Sequence, residues 1–202
     1  MPSAEGMGWA AWIATAGGLG LSPIAPGTMG SLGAVMLFGG TFSFFARPGL
    51  THSLETGDLG FDLTAYALTY ALIYAVATLG LIVIGVWSAD RVERVWKRHD
   101  DNRIVIDEVV GQLIALSPLI WFFSGPSQAG STEKSSIFFG VVTGFVLFRL
   151  FDVWKPGAIR WAERRFQGGM GVMADDVVAG VYSAILLSLI LNFGPTVLKG
   201  LA

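Results

Sequence analysis

The chain has 202 residues, of which 53% are hydrophobic and only 14% are charged, and its formal net charge is −2. Soluble domains carry about 25% charged residues, so this composition favours a membrane protein or an unusually buried helical bundle. The slight negative charge argues against a nucleic-acid partner. The absence of cysteine excludes disulfides, thiolate metal sites and cysteine nucleophiles. We expect a single domain over residues 1–202.

Five apolar stretches follow one another along the chain, near residues 30–46, 64–88, 104–123, 136–151 and 177–193. The second has no charge for about 25 residues and is long enough to cross a bilayer by itself. The other four, at about 16–20 residues each, are marginal spans that could equally be core helices. We therefore predict an all-α, multi-helical bundle, integral to a membrane, with four or five apolar helices.

The segment GLGLSPIAPGTMGSLG, residues 18–33, precedes and enters the first apolar stretch. Its prolines and glycines predict a rigid loop that turns into a helix near Thr28–Ser31. Backbone N–H groups at such a helix start, together with the hydroxyls of Thr28 and Ser31, can bind an anion. No Gly-Lys-Ser/Thr follows, so this is not a Walker A loop. A structural turn before a capped helix explains the segment equally well.

Two acidic pairs open later apolar stretches: Asp107 and Glu108 in VIDEVVGQLIAL, and Asp175 and Asp176 in VMADDVVAGVYSAILL. A helix N-terminus favours negative charge, which accounts for one acid in each pair. Adjacent side chains diverge by about 100° around a helix, so both acids cannot serve one face. With Asp152 there are five carboxylates, and oxygen ligands suit a hard divalent cation, Mg²⁺ or alternatively Mn²⁺.

Lys and Arg residues are concentrated in two clusters, five of the thirteen at 91–103 and five at 149–165. Two helices joined by a loop at 124–134 would return both clusters to one side of a membrane. The positive-inside rule places that side in the cytoplasm, and residues 19–31 and 168–176 fall on the same face. Residues 90–98 and 156–166 have the amphipathic spacing of short interfacial helices. Solvated ends of a soluble bundle would also explain the clusters.

Together, the anion-binding loop, the carboxylates and the nearby cations Arg149, Lys155 and Arg160 indicate metal-assisted phosphate chemistry. Two alternatives remain open at this point. Acids within apolar helices also occur in ion or proton transporters, and a soluble helical bundle could bind a phosphorylated metabolite.

Three blocks of the sequence resemble the phosphatidylglycerophosphatase A family: GLGLSPIAPGTMGSLG, DDNRIVIDEVVGQLIAL, and LFRLFDVWKPGAIRWAERRFQGGMGVMADDVVAGVYSAILL. They cover roughly 75 of the 202 residues, in the order that the family has them. The departures are Asn102, where the family often has proline or histidine, and residues 39–63, which match nothing in it. Neither departure touches the acidic pairs.

The resemblance implies a Mg²⁺-dependent phosphatase of the bacterial inner membrane, with an all-helical fold and an active site facing the cytoplasm. Its partners would be the membrane and the substrate phosphatidylglycerophosphate, which it would convert to phosphatidylglycerol and inorganic phosphate. The catalytic residues would be Asp107, Glu108, Asp152, Lys155, Asp175 and Asp176. The metal ligands would be Asp107, Glu108, Asp175 and Asp176, with Glu108 orienting the attacking water. The roles themselves are inferred from the residue types: Lys155 and Arg149 would bind the substrate phosphate, and Gly27, Thr28, Gly30, Ser31 and Arg160 would also contact it.

Overall fold

A computed structural model of the chain describes residues 8–56, 63–97, 101–124 and 134–201. Within these ranges the chain is helical apart from short turns and contains no β-strand, which confirms the all-α prediction. The helices are α1 Trp9–Ala14, α2 Pro26–Thr56, α3 Leu63–Trp96, α4 Ile106–Leu116, α5 Pro118–Ser124, α6 Lys134–Trp154, α7 Ala158–Arg165 and α8 Gly169–Leu201. A short 3₁₀ turn, Leu19–Leu21, lies between α1 and α2.

Among the described residues, four helices are long and apolar enough to cross a membrane, over Pro26–Phe45, Ala67–Trp96, Ser136–Trp154 and Gly169–Phe193. They leave large apolar side chains on the outside of the bundle, among them Leu72, Val83 and Phe138. Apolar surface of this extent is rare on soluble monomers, whereas lipid tails surround it without cost. The chain is therefore a helical membrane protein.

The third apolar stretch, 104–123, is not a span among the described helices. It breaks at Ser117 and Pro118 into α4 and α5, because proline cannot continue the preceding helix's hydrogen bonds. With 11 residues, α4 is about 16 Å long, roughly half the thickness of a bilayer's hydrocarbon core. It lies instead inside the bundle, in contact with α2, α3, α6 and α8.

Glycines bring α4 and α8 unusually close together. A Cβ atom on Gly180 would stand 2.5 Å from the carbonyl oxygen of Gly111, and one on Gly111 would stand 2.7 Å from the carbonyl oxygen of Asp176. Close backbone approach of this kind requires residues without side chains. It sets the first turn of α4, which carries Asp107 and Glu108, beside the part of α8 that carries Asp175 and Asp176. α8 begins at Gly169, so this second pair lies about two turns inside its helix and not at a helix start, as the sequence had suggested.

The two segments predicted as interfacial helices fold differently. Residues 156–166 contain α7, as expected, whereas residues 90–96 form the last turns of α3. No glycine or proline interrupts the chain there, and Asp90 and Arg94 form an ion pair one turn apart, so the helix continues. The predicted loop at 124–134 lies almost wholly outside the described residues.

The starts of α2, α4 and α8 and the end of α6 meet at one end of the bundle, where they surround a common cavity. The end of α3 reaches the same place, since a Cβ atom on Gly168, just before α8, would stand 2.9 Å from Asp90 Oδ1. The described members of both basic clusters belong to these helix ends and to α7. The structure thus places both clusters at one end, as the sequence predicts.

Candidate active site

A cavity of about 510 Å³ opens at this end of the bundle. Its walls come from the start of α2, the segment before α4, the start of α4, the end of α6, α7 and the start of α8. Nine of the twelve predicted site residues line it: Gly27, Thr28, Asp107, Glu108, Arg149, Asp152, Lys155, Asp175 and Asp176. Residues nearly 150 positions apart in the sequence therefore share one cavity.

Three carboxylates form the tightest group in the cavity. Asp107, Glu108 and Asp176 each offer an oxygen atom, and these atoms all lie within 4.8 Å of one another. Asp107 and Asp176 are buried, and Glu108 is half-buried. Burial, together with the charges of Glu108 and Asp176, raises the pKa of Asp107 well above its usual value.

This group fits a divalent cation. Asp107 Oδ1 and Glu108 Oε2 are buried and have no hydrogen-bond partner among the described residues. Buried carboxylate oxygens are costly unless something compensates their charge. A hard cation with oxygen ligands would do so, and Mg²⁺ is bound in proteins through such carboxylates.

Asp175, the fourth predicted ligand, is not part of this group. The side chains of Asp175 and Asp176 point in different directions, as expected for adjacent positions on a helix. Its Oδ2 accepts a hydrogen bond from Lys155 Nζ at 2.7 Å. The structure therefore brings three of the four predicted ligands together and pairs the fourth with a lysine; the metal role of each stays a prediction.

Lys155 comes directly after α6, with a left-handed backbone φ of 46°. Its ammonium donates to Asp175 Oδ2 at 2.7 Å and to Glu163 Oε1 at 2.9 Å. Burial alone would lower the pKa of Lys155, but the two carboxylates outweigh it and raise the pKa. Lys155 is therefore a fixed cation in the wall of the cavity.

Arg149 supplies a second cation. Its Nη1 lies 2.7 Å from Asp152 Oδ2, one turn further along α6. That N–H is not aimed at the carboxylate oxygen, and buried Nη1 makes no hydrogen bond within the described part of the chain. A Cβ atom on Gly27 would collide with Glu108 Oε1 and lie 3.4 Å from Nη1. Glycine at the start of α2 thus lets Glu108 and Arg149 share this corner with it.

The predicted anion-binding segment is only partly at the cavity. α2 begins at Pro26, and proline suits the first helical position. Gly27 and Thr28 line the cavity, and as first-turn residues their N–H groups have no carbonyl partner within the helix. Gly30 instead packs on Val105, and the buried Ser31 hydroxyl donates to the carbonyl oxygen of Gly27 at 3.1 Å. Both support the helix and do not line the cavity.

Arg160, also predicted to contact phosphate, lies exposed on α7 and does not line the cavity. Glu163, on the same helix, does line it and contacts Lys155, although the sequence analysis did not select it. A signal was present, since Glu163 is the one acid in the basic segment AIRWAERR. It also follows Ala162, which is buried.

Gln112 is a second residue that the sequence analysis missed. It lies four residues after Glu108 on α4 and is fully buried. Neither atom of its side-chain amide has a hydrogen-bond partner among the described residues. A buried amide without partners costs stability, so this position is informative to mutate.

The fold and the cavity define a membrane protein with four candidate spans in the described part of the chain and, at one end, a site that combines clustered carboxylates with two cationic side chains. This is the side-chain chemistry of a hydrolase that acts on phosphate groups. The chain belongs to the phosphatidylglycerophosphatase A family, whose sequence model matches residues 12–191, and it is a phosphatase. The resemblance seen in the sequence is thereby confirmed.

Individual relatives differ in the lipid that their names specify. Phosphatidylglycerophosphatase A of Escherichia coli is 34% identical over 185 residues, 91% of this chain and 84% of the relative. Phosphatidylglycerophosphatase A of Haemophilus influenzae is 27% identical over 87% of this chain and 84% of its own length. A putative phosphatidylinositol-3-phosphatase of Bacteroides thetaiotaomicron is 35% identical over 87% and 89%, respectively. No solved structure matches the chain significantly.

Proposed function

We propose that this protein is a Mg²⁺-dependent lipid phosphatase that hydrolyses the terminal phosphate monoester of phosphatidylglycerophosphate, giving phosphatidylglycerol and inorganic phosphate. One observation carries the proposal most strongly. Three carboxylates whose oxygens lie within 4.8 Å of one another share a cavity with Arg149 and Lys155. The family match and the name of the Escherichia coli relative support the choice of lipid.

Asp107, Glu108 and Asp176 would hold the cation, Mg²⁺ or alternatively Mn²⁺. When bound, such an ion polarises a phosphoryl oxygen and favours ionisation of water. Asp175 would hold the Lys155 ammonium beside the cation site. If the Asp175 carboxylate turns towards the bound cation, it would become a fourth ligand. Binding of the cation would also satisfy the unpartnered oxygens of Asp107 and Glu108.

The protein's own groups can orient the phosphate. The guanidinium of Arg149, the ammonium of Lys155 and the first-turn N–H groups of Gly27 and Thr28 would bind its non-bridging oxygens. Glu108, half-buried beside Arg149, would orient a water molecule and accept its proton as the oxygen attacks phosphorus. The bond between phosphorus and the glycerol oxygen breaks, and that oxygen leaves as an alcohol after taking a proton from water.

The position of the cavity suits a lipid substrate. It opens where the four spans begin or end, so acyl chains could remain in the bilayer while the phosphate enters from the surface. Under the positive-inside rule, the basic side chains at this end of the bundle would place the cavity on the cytoplasmic side. We therefore propose that the active site lies at the cytoplasmic face of the bacterial inner membrane. A transporter would need acids near mid-span, and these acids lie at span ends.

The test is release of inorganic phosphate by the purified protein in lipid micelles. Phosphatidylglycerophosphate and phosphatidylinositol 3-phosphate are offered in parallel, each with Mg²⁺ and with EDTA, and Asp176→Asn serves as the inactive control. We expect Mg²⁺-dependent release from phosphatidylglycerophosphate. A clear preference for the inositol lipid would instead support the activity named for the Bacteroides thetaiotaomicron relative. Hydrolysis of neither lipid would contradict the proposal.

A further inference from the structure

The Lys155 ammonium lies between two carboxylates that differ in exposure. The Asp175 side chain, on α8, is 11% exposed, whereas that of Glu163, on α7, is 44% exposed. An exposed ion pair contributes little net free energy, because water competes for both partners. The bond to Glu163 is therefore the one that can exchange easily, and the bond to Asp175 is the one that persists.

The backbone of Lys155 gives a reason for having two partners. Its N–H still donates to the carbonyl oxygen of Phe151, as in a helix, at 2.8 Å. Its φ of 46° is nevertheless unfavourable for a residue with a side chain, and Pro156 restricts it further. The backbone preference of residue 155 therefore does not account for the position of its side chain. The hydrogen bonds to Glu163 on α7 and to Asp175 on α8 hold that side chain at the cavity.

We propose that Glu163 is a positioning residue: it helps to hold the Lys155 ammonium in the cavity wall and yields this hydrogen bond to an oxygen of the incoming phosphate. The inference rests on the proposed function, since it assumes that the cavity receives a phosphate monoester. Glu163 takes no part in bond cleavage. Because Glu163 competes with the phosphate for this ammonium, it weakens phosphate binding and favours release of the product.

Glu163→Gln tests this inference, because glutamine keeps the size and the hydrogen-bond acceptor but removes the charge. We expect inorganic phosphate to bind about 2- to 5-fold more tightly, the range expected for one exposed ion pair. The KM for the lipid should fall by a similar factor, with kcat changed by less than about twofold. Calorimetric titration of the full-length protein with inorganic phosphate in Mg²⁺-containing detergent measures the affinity without requiring turnover.

Three further variants make the result specific. Glu163→Asp retains the charge and should keep the wild-type phosphate affinity. Asp90→Asn removes a carboxylate from an ion pair outside the cavity and should change nothing. In a Lys155→Met background, Glu163→Gln should have no further effect on phosphate affinity, because its partner is gone.

Unchanged or weaker phosphate binding by Glu163→Gln would overturn the inference, as would a lower melting temperature with unchanged affinity, which indicates a structural role alone. An equal effect of Glu163→Gln in the Lys155→Met background would overturn it too. Failure of the proposed function looks different. Wild-type protein would then bind inorganic phosphate but hydrolyse neither lipid, and the binding measurements would still decide the role of Glu163. Wild-type protein that binds no inorganic phosphate would refute that role.

Discussion

The backbones of Gly111 in α4 and Gly180 in α8 are in close contact: a Cβ atom on Gly180 would lie 2.5 Å from the carbonyl oxygen of Gly111. This contact lies one turn beyond Asp107 and Glu108 on α4, and one turn beyond Asp176 on α8. The spacing of the carboxylate group therefore depends on a backbone contact that no larger residue permits.

Gly180→Ala should force α4 and α8 apart, because the carbonyl oxygen of Gly111 cannot move as a flexible side chain could. We expect the protein to lose about 1–3 kcal/mol of stability, as in other overpacked cores, and to lose most of its phosphatase activity. Thermal unfolding in detergent and phosphate release measure the two effects. Gly80→Ala is the matched control, since no described residue beyond the backbone of its own helix turn has an atom within 4 Å of a Cβ at Gly80. Equal tolerance of both changes would show that the close contact is dispensable.

Asp107→Asn and Asp176→Asn should each lower activity by at least about 100-fold while the protein stays folded, because each removes a charged oxygen from the proposed cation site. Without Mg²⁺ both variants should melt no lower than the wild type, since crowded buried carboxylates repel one another. Phosphate release and melting temperature in EDTA provide the measurements. Near-normal activity in both would mean that neither carboxylate takes part in catalysis.

Cation binding should stabilise the wild-type fold, because the ion binds the folded protein and relieves the unpartnered carboxylate oxygens. We expect the melting temperature to rise as Mg²⁺ is added after EDTA, and activity to return with it; Mn²⁺ should substitute. Asp176→Asn should show little of this rise. A wild-type protein that is fully active in EDTA would remove the cation from the mechanism.

Lys155→Met should raise the KM for the lipid while the protein stays folded. The mostly buried Asp175 loses its cationic partner in this variant, so some stability is lost as well. Loss of one member of such a pair costs about 1–3 kcal/mol, whereas neutralising both costs less. The double variant Lys155→Met/Asp175→Asn should therefore recover melting temperature but not activity. If activity returned together with stability, Lys155 would be a structural residue and not a phosphate ligand.

Gln112→Met should stabilise the protein, by up to about 1 kcal/mol, because it replaces a buried amide without partners by an apolar side chain of similar length. Activity should be kept, since Gln112 does not line the cavity. Chemical or thermal unfolding of the purified variant provides the measurement. A marked loss of stability or activity would show that the amide binds a group that is essential to the folded enzyme.

The sequence by itself determined the class of the protein. Long apolar stretches must be helices in lipid, because every backbone polar group has to be bonded within its own segment. Paired acids next to such stretches need something that compensates their charge. Composition and spacing thus predicted an all-helical membrane bundle and most of the charged side chains around its cavity. They also predicted both basic clusters at one end, since antiparallel spans return alternate ends of the chain to the same surface.

Only the tertiary structure determined which of those side chains contact one another. Periodicity cannot tell a marginal span from a buried helix, so α4 emerged as an internal helix only when α2, α3, α6 and α8 packed around it. Neighbouring acids on a helix point in different directions. In the packed bundle, Asp175 accepts a hydrogen bond from Lys155, whereas Asp176 lies beside Asp107 and Glu108. Glu163 joined the cavity for the same reason. Contacts between distant segments depend on which helix faces meet, and that information lies in the packing of the whole bundle rather than in any one stretch of residues.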